Sequence, residues 1–192
     1  MRGDGIAAKL VSIAQKVTTM RVVIVLSLIM CFCALVLGVT LYAMTRDQDR
    51  DLALLAFTCR AGEGVAGAVF LVPTLGLLWL ATRDDGNASG AVGALGEFLL
   101  RVQDWSPLIC ATLFAVGSAL FSWLLLRGRI IPIPLAWLGI FASVILVIGI
   151  PLRLAGLFRD PIFMIIWLPM LVFEVPLGVW LLIKGGRWPT GA

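Results

Sequence analysis

Three ionisable residues stand where charge is expensive. Arg60, Glu63 and Glu174 each interrupt a long apolar run. A charge facing lipid near the bilayer centre costs about 2.5–3.5 kcal/mol or more. Arg60 and Glu63 are three apart, so a helix puts them on one face, able to pair. Counted from Leu52, they lie about 12–17 Å into the membrane. Glu174 lies near the middle of its own run. All three can meet near the midplane if the two runs are neighbours. The cluster would hold one cation and two carboxylates, hence a net negative charge or one shared proton. That chemistry suits an ion or proton site. It equally suits polar glue between helices.

Prolines surround these charges. Pro169 and Pro176 bracket Glu174. Each removes an i→i−4 hydrogen bond and frees a carbonyl, at Ile165 and Val172. Pro73 does the same for Val69. Broken helices with free carbonyls near buried charges resemble the ion sites of transporters. Proline is also simply common in membrane helices. Gly62, Gly64 and Gly67 allow close helix approach in the same stretch, which serves either reading.

Other chemistry is scarce. Without histidine, the usual haem, zinc–histidine and Ser-His-Asp chemistries are excluded. The four cysteines, Cys31, Cys33, Cys59 and Cys110, all fall in apolar runs. Cys31 and Cys33 are about 200° apart on a helix and cannot share a metal. Buried free cysteine packs as a small hydrophobe. No metal site and no cofactor is expected. Asn87-Ala88-Ser89 matches a glycosylation acceptor, relevant only in a eukaryotic secretory context.

The elements that position these residues follow from composition. Of 192 residues, 61% are hydrophobic, with 15 basic and 11 acidic side chains. The mean hydropathy is +1.06. A soluble domain is about half apolar and a quarter charged. A water-soluble enzyme is therefore excluded, and the length suits one domain. A spanning helix needs about 20 apolar residues. Five runs qualify, at about 22–44, 52–81, 106–126, 133–150 and 161–183. They are continuously apolar rather than alternating, which favours helices over a β-barrel. The first is too long for a signal peptide and has no convincing cleavage site after it. Pro132 and Pro134 suit the first turn of the fourth span. Asp84-Asp85-Gly86-Asn87 signals a turn in a polar, Gly-rich stretch, 82–104. That stretch is expected to be the longest connection, with a short interfacial helix at its end.

Six of the seven tryptophans, Trp79, Trp105, Trp123, Trp137, Trp180 and Trp188, lie near boundaries, as an aromatic belt requires. Trp167 falls inside a span. The first 21 residues differ from the rest. Ile6, Leu10, Ile13, Val17 and Met20 recur at steps of four and three, with Lys9 and Lys16 elsewhere. This predicts an amphipathic helix lying on an anionic membrane surface. A disordered basic leader is the alternative. The resulting organisation is a leader at 1–21, a five-span helical domain at 22–184 and a tail at 185–192. Basic residues number eight against six with the N-terminus inside, and four against six once the leader is omitted. Charge alone thus does not orient the chain.

The stretch LVLGVTLYAMTRDQDRDLALLAFTCRAGEGV resembles a bacterial multi-pass membrane family catalogued as domain of unknown function 4386. It carries Tyr42 at the end of a span, Leu52 to Leu55, then Arg60 and Glu63 in an Arg-x-x-Glu motif. LFAVGSALFSWLLLRGRIIPIPLAWLGIFAS is also similar, as is FEVPLGVWLLIKG, with Glu174 on the family's acidic position. The resemblance covers roughly 35–185. It implies a fold and a set of positions but no reaction. It also implies one further span before 22–44, where this chain offers only the leader. In six-span members the loops matching 45–51 and 127–131, and the C-terminus, would be cytoplasmic.

The expected product is an all-α integral membrane bundle of five transmembrane helices with an N-terminal amphipathic helix, multi-pass in the cell (cytoplasmic) membrane. Its surroundings are the lipid bilayer, and copies of itself or other membrane proteins; nucleic acid is not expected. One functional class is a non-enzymatic structural or regulatory component. The other is a small proton-linked transporter or permease using Arg60, Glu63 and Glu174. An intramembrane enzyme without histidine is disfavoured.

Overall fold

The computed structural model describes residues 3–82, 90–157 and 164–184. Among them all regular structure is helical: α1 (Gly3–Gln15), α2 (Val17–Thr45), α3 (Arg50–Val69), α4 (Leu71–Ala81), α5 (Gly90–Arg127), α6 (Ile133–Leu154) and α7 (Leu168–Lys184). Five stretches are long and apolar enough to cross a membrane: Val17–Thr45, Arg50–Ala81, Ala91–Arg127, Ile133–Leu154 and Met164–Lys184. The fold is a multi-pass helical membrane protein.

Three boundaries differ from the sequence reading. First, the expected 82–104 connection is mostly helix, because α5 begins at Gly90. Ala91, Ala94, Leu95, Glu97, Leu99, Leu100 and Arg101 are strong helix formers. They outweigh Gly93 and Gly96, each costing about 1 kcal/mol. Pro107 is accommodated inside α5, and Ser106 Oγ beside it donates to the Val102 carbonyl. At 38 residues, α5 is about 57 Å long, well beyond a bilayer core of about 30 Å. Its charged beginning, with Glu97, Arg101 and Asp104, accounts for the excess. The Asp84–Asn87 turn, the start of the fifth span at 161–163 and the tail at 185–192 lie outside the described residues.

Second, the leader does not run to residue 21. A turn at Lys16 ends α1, and Val17 already belongs to α2. Third, the second span is interrupted at Phe70, three residues before Pro73. Pro73 has no N–H for the Val69 carbonyl, so the helix loses a bond there.

The chain divides into two compact units. One comprises Met1–Val36 and Gly62–Cys110. In it α1 packs on α4. Leu10 and Ile13 of the amphipathic stripe are half-buried, while Val11, Ser12 and Gln15 are exposed. Leu77 of α4 is fully buried. Gly76 admits the Leu99 side chain, 3.1 Å from where a Cβ would stand. Gln103 donates to Thr74 Oγ1 at 3.4 Å. Gly64 and Gly67 of α3 let Leu35 and Cys31 of α2 approach to about backbone contact.

The other unit comprises Leu37–Ala61 and Ala111–Ala192. Asp49 caps α3 by accepting the Leu52 N–H at 3.1 Å, and its other oxygen meets Arg127 at 3.5 Å. The α5–α6 hairpin opens with a Schellman-type stop: Ile130 N–H donates to the Leu125 carbonyl and Arg129 N–H to Leu126. Arg129 takes the left-handed position, φ 50°, which glycine usually fills. The same motif ends α6, there with Gly156 at φ 77°. Pro132 caps α6 and Pro134 sits in its first turn. Helix α6 packs on α7, and Gly139 is the point of closest approach. Phe173 of α7 and Ser122 of α5 converge on its Cα face.

A Cβ on Gly139 would stand 2.5 Å from the Phe173 ring and from Ser122 Oγ. Gly139→Ala is therefore expected to destabilise the protein by about 1–3 kcal/mol through overpacking. Thermal unfolding in detergent checks this, with Gly93→Ala as control, since nothing lies within 4 Å of that position. Equal melting temperatures for the two variants would contradict the contact.

Candidate functional site

Arg60 is the pivot of the second unit. It is 5% exposed, in a run of small buried residues that includes Ala53 and Ala56. Its stem lies between two glycines on other helices. A Cβ on Gly38 of α2 would stand 3.2 Å from Arg60 Cβ. One on Gly117 of α5 would stand 3.2 Å from Arg60 Cγ and from the Ala56 carbonyl. Both approaches are tight for anything beyond glycine: a Cβ would require the Arg60 stem or the Ala56 carbonyl to give by a few tenths of an ångström. The guanidinium carbon then sits 4.8 Å above the Phe114 ring. Phe114 stacks on Trp167, with centroids 5.9 Å apart and planes at 30°. A cation over an aromatic face away from water is worth about 2 kcal/mol. Below it Tyr42 and Phe57 pack at 5.7 Å. Arg60 thus ties α2, α3 and α5 together and reaches the residue just before α7.

Trp167 is the one tryptophan read as lying inside a span. It is half-buried, whereas Trp79, Trp105, Trp123 and Trp137 are exposed, as a lipid belt requires. Trp188 lies outside the described residues. Trp180 carries Lys184 Nζ 4.4 Å from its ring, so that cation covers an aromatic at the end of the span.

Of the three sequence candidates, Arg60 and Glu174 belong to the second unit and Glu63 to the first. Glu63 lies one turn beyond Arg60 in α3 and is half-buried. It belongs to the first unit, as do Cys31 and Cys110. Glu174 belongs to the second unit with Arg60, and the Arg60 charge reaches it through space. It makes no hydrogen bond or ion pair among the described residues. Its neighbour Phe173 is buried at Gly139, and Glu174 lies on the flank of α7, between the buried Met170 one turn before it and the buried Leu177 one turn after, with part of its surface exposed. Pro73 is buried in α4 just after the interruption at Phe70. Pro169 is the second residue of α7, just after a turn at Trp167. Pro176 lies inside α7 on its exposed side. Among the described residues no group of three His, Cys, Asp or Glu is placed to hold a metal.

One part of this arrangement escaped the sequence reading. Gly38 and Gly117 were legible as small residues within apolar spans, but nothing in their spacing names Arg60 as the side chain they admit.

A family model described as Domain of unknown function (DUF4386) matches residues 2–185. The chain belongs to this family. The match takes in the leader, so α1 is part of the DUF4386 region and not an addition before it. No curated protein and no solved structure matches the chain. Arg60, Glu63 and Glu174 all fall inside the DUF4386 match, and the family description assigns them no role.

Arg60→Met is expected to destabilise the protein by roughly 3–5 kcal/mol, since a half-buried carboxylate then remains one turn away without its cation. Arg60→Met with Glu63→Gln should recover part of that loss. A double-mutant cycle on thermal stability in detergent measures the coupling. Strict additivity of the two changes would show that Arg60 and Glu63 act independently.

Proposed function

We propose that this protein is a non-enzymatic structural or regulatory component of the cell membrane that associates with other membrane proteins. The observation that carries this reading is the contrast between two charges. Arg60 is held by Gly38, Gly117 and Phe114 and serves packing. Glu174 lies on the flank of α7 in the middle of a spanning helix, partly exposed and without a hydrogen bond or ion pair among the described residues. A carboxyl there needs a protein neighbour, because lipid offers it no hydrogen-bond partner. The absence of histidine and the scarcity of other acid–base groups within the spans support the non-enzymatic part.

The second reading is a small proton-linked transporter. Its support is that Glu174 shares a compact unit with Arg60 and lies on a helix that begins after a turn at Trp167. Interrupted helices at a charged site are how transporters expose carbonyls and dipoles to ions.

Proton flux separates the two. The full chain is reconstituted in vesicles enclosing a pH-sensitive dye, and an acid pulse is applied outside. The component reading expects influx equal to that of empty vesicles, and no difference between the wild type and Glu174→Gln. Influx well above that of empty vesicles, lost in Glu174→Gln with the helix content intact, would replace it with the transporter reading.

A further inference from the structure

We propose that Ser122 marks a site for a single buried water where α5, α6 and α7 meet, closed by the Phe173 ring and filled when α7 draws that ring away. Ser122 is 1% exposed, and its Oγ has no hydrogen-bond partner among the described residues. Thr45, Thr58, Ser106 and Ser143 satisfy their hydroxyls by donating to the carbonyl four residues earlier. Ser122 does not use that route. Its Oγ lies against α6, 2.5 Å from where a Cβ on Gly139 would stand. The glycine Cα–H can offer the oxygen a weak contact. The hydroxyl proton still has no acceptor. Left dry, such a group is less favourable than an apolar side chain of the same shape.

The surroundings say what the acceptor is. The buried side of α6 carries small residues, Ala136, Gly139, Ala142 and Ser143. Ser143 Oγ donates to the Gly139 carbonyl at 2.7 Å. Three polar atoms therefore adjoin Gly139: its own carbonyl, Ser143 Oγ and Ser122 Oγ. About two to four such partners hold a buried water. Water can accept the Ser122 proton and donate to an oxygen in return. Its source is close by. Ser122 lies five residues, about 7.5 Å, before Arg127 at the exposed end of α5. Gly139 lies six residues, about 9 Å, after Ile133 at the start of α6.

Phe173 is the moving part. Its ring fills the space beside Gly139, with its nearest atom 2.5 Å from the Cβ position. It stands between Pro169 and Pro176, and α7 begins after a turn at Trp167. Pro176 leaves the Val172 carbonyl without its helical donor, so the helix is weakened beside Phe173. With the ring seated, packing is gained and the Ser122 proton goes unpaired. With the ring drawn away, packing is lost and water pairs that proton. The two effects oppose each other, which keeps the open arrangement within reach as a minor state. The hydroxyl is retained because it is satisfied in that state.

The test follows thiol accessibility in the full chain, with Cys31, Cys33, Cys59 and Cys110 changed to alanine, in phosphatidylcholine–phosphatidylglycerol vesicles. A charged, water-borne methanethiosulfonate reports where water reaches. Ser122→Cys should react faster than Ala115→Cys, which is 0% exposed and two turns deeper on the same helix. Adding Phe173→Ala to Ser122→Cys should speed the reaction by about 10- to 1,000-fold, since a minor open state holds about 0.1–10% of chains. Ser122→Ala in the otherwise native chain should raise the melting temperature by about 2–4 °C, because the dry hydroxyl is gone. That arm introduces no thiol, so it carries the test alone should Ser122→Cys fail to fold. Circular dichroism checks the helix content of each variant. A Ser122→Cys rate no greater than that of Ala115→Cys overturns the water site, as does a rate unmoved by Phe173→Ala. An unchanged or lowered melting temperature in Ser122→Ala overturns it too, because the hydroxyl then already has a partner in the closed chain. These outcomes bear on neither partner association nor proton flux.

Discussion

In lipid, two apolar helices gain nothing by leaving the solvent, because the tails are as apolar as their side chains. What remains is close packing and polar contact. The whole bundle reflects that constraint. Where helices meet, a glycine removes a side chain and a specific atom enters the gap. Gly139 admits Phe173 and Ser122, Gly67 admits the Cys31 sulfur, and Gly38 and Gly117 admit the stem of Arg60. A large residue on one helix fits a glycine on another. Leucine against leucine, which holds soluble bundles together, would bring no comparable preference for one neighbour over lipid.

Arg60 carries this logic to its limit. A long cationic side chain is the least suitable filler for a membrane interior, and glycines on two other helices make room for it. The arrangement is stable because each part of the side chain has a different neighbour. The methylenes lie between Gly38 and Gly117, and the charge lies over Phe114, itself backed by Trp167. Arg60 is therefore a packing element with a polar end.

The five spans were legible because an apolar run of about 20 residues matches the thickness of a bilayer core, and few soluble folds tolerate five of them in one short chain. The prolines at 132 and 134 located the start of α6 for a local reason, the spare N–H positions of a first turn. What failed was the segment from Gly90 to Asp104. Its charges and glycines read as a connection, while its alanines and leucines make it helical. Local propensity and polarity pointed in different directions there, and polarity decides only where the membrane ends. The leader met the same limit at Lys16, where a helix that changes surroundings turns only briefly. For the candidate residues Arg60, Glu63 and Glu174, residue count gives a depth at about 1.5 Å per residue. It does not give azimuth, because which way a residue faces depends on the neighbour that its helix chooses.

Azimuth is what separates Phe173 from Glu174. They are adjacent in sequence, so a helix turns them about 100° apart. Phe173 is committed inward, because Gly139 leaves space for its ring and for nothing larger than hydrogen on the opposing Cα. Once that ring is seated, the rotation of α7 is set. Glu174, about 100° further round, then falls on the flank of the helix, between the buried Met170 one turn before it and the buried Leu177 one turn after. The position of the carboxyl is thus a consequence of the packing of its neighbour.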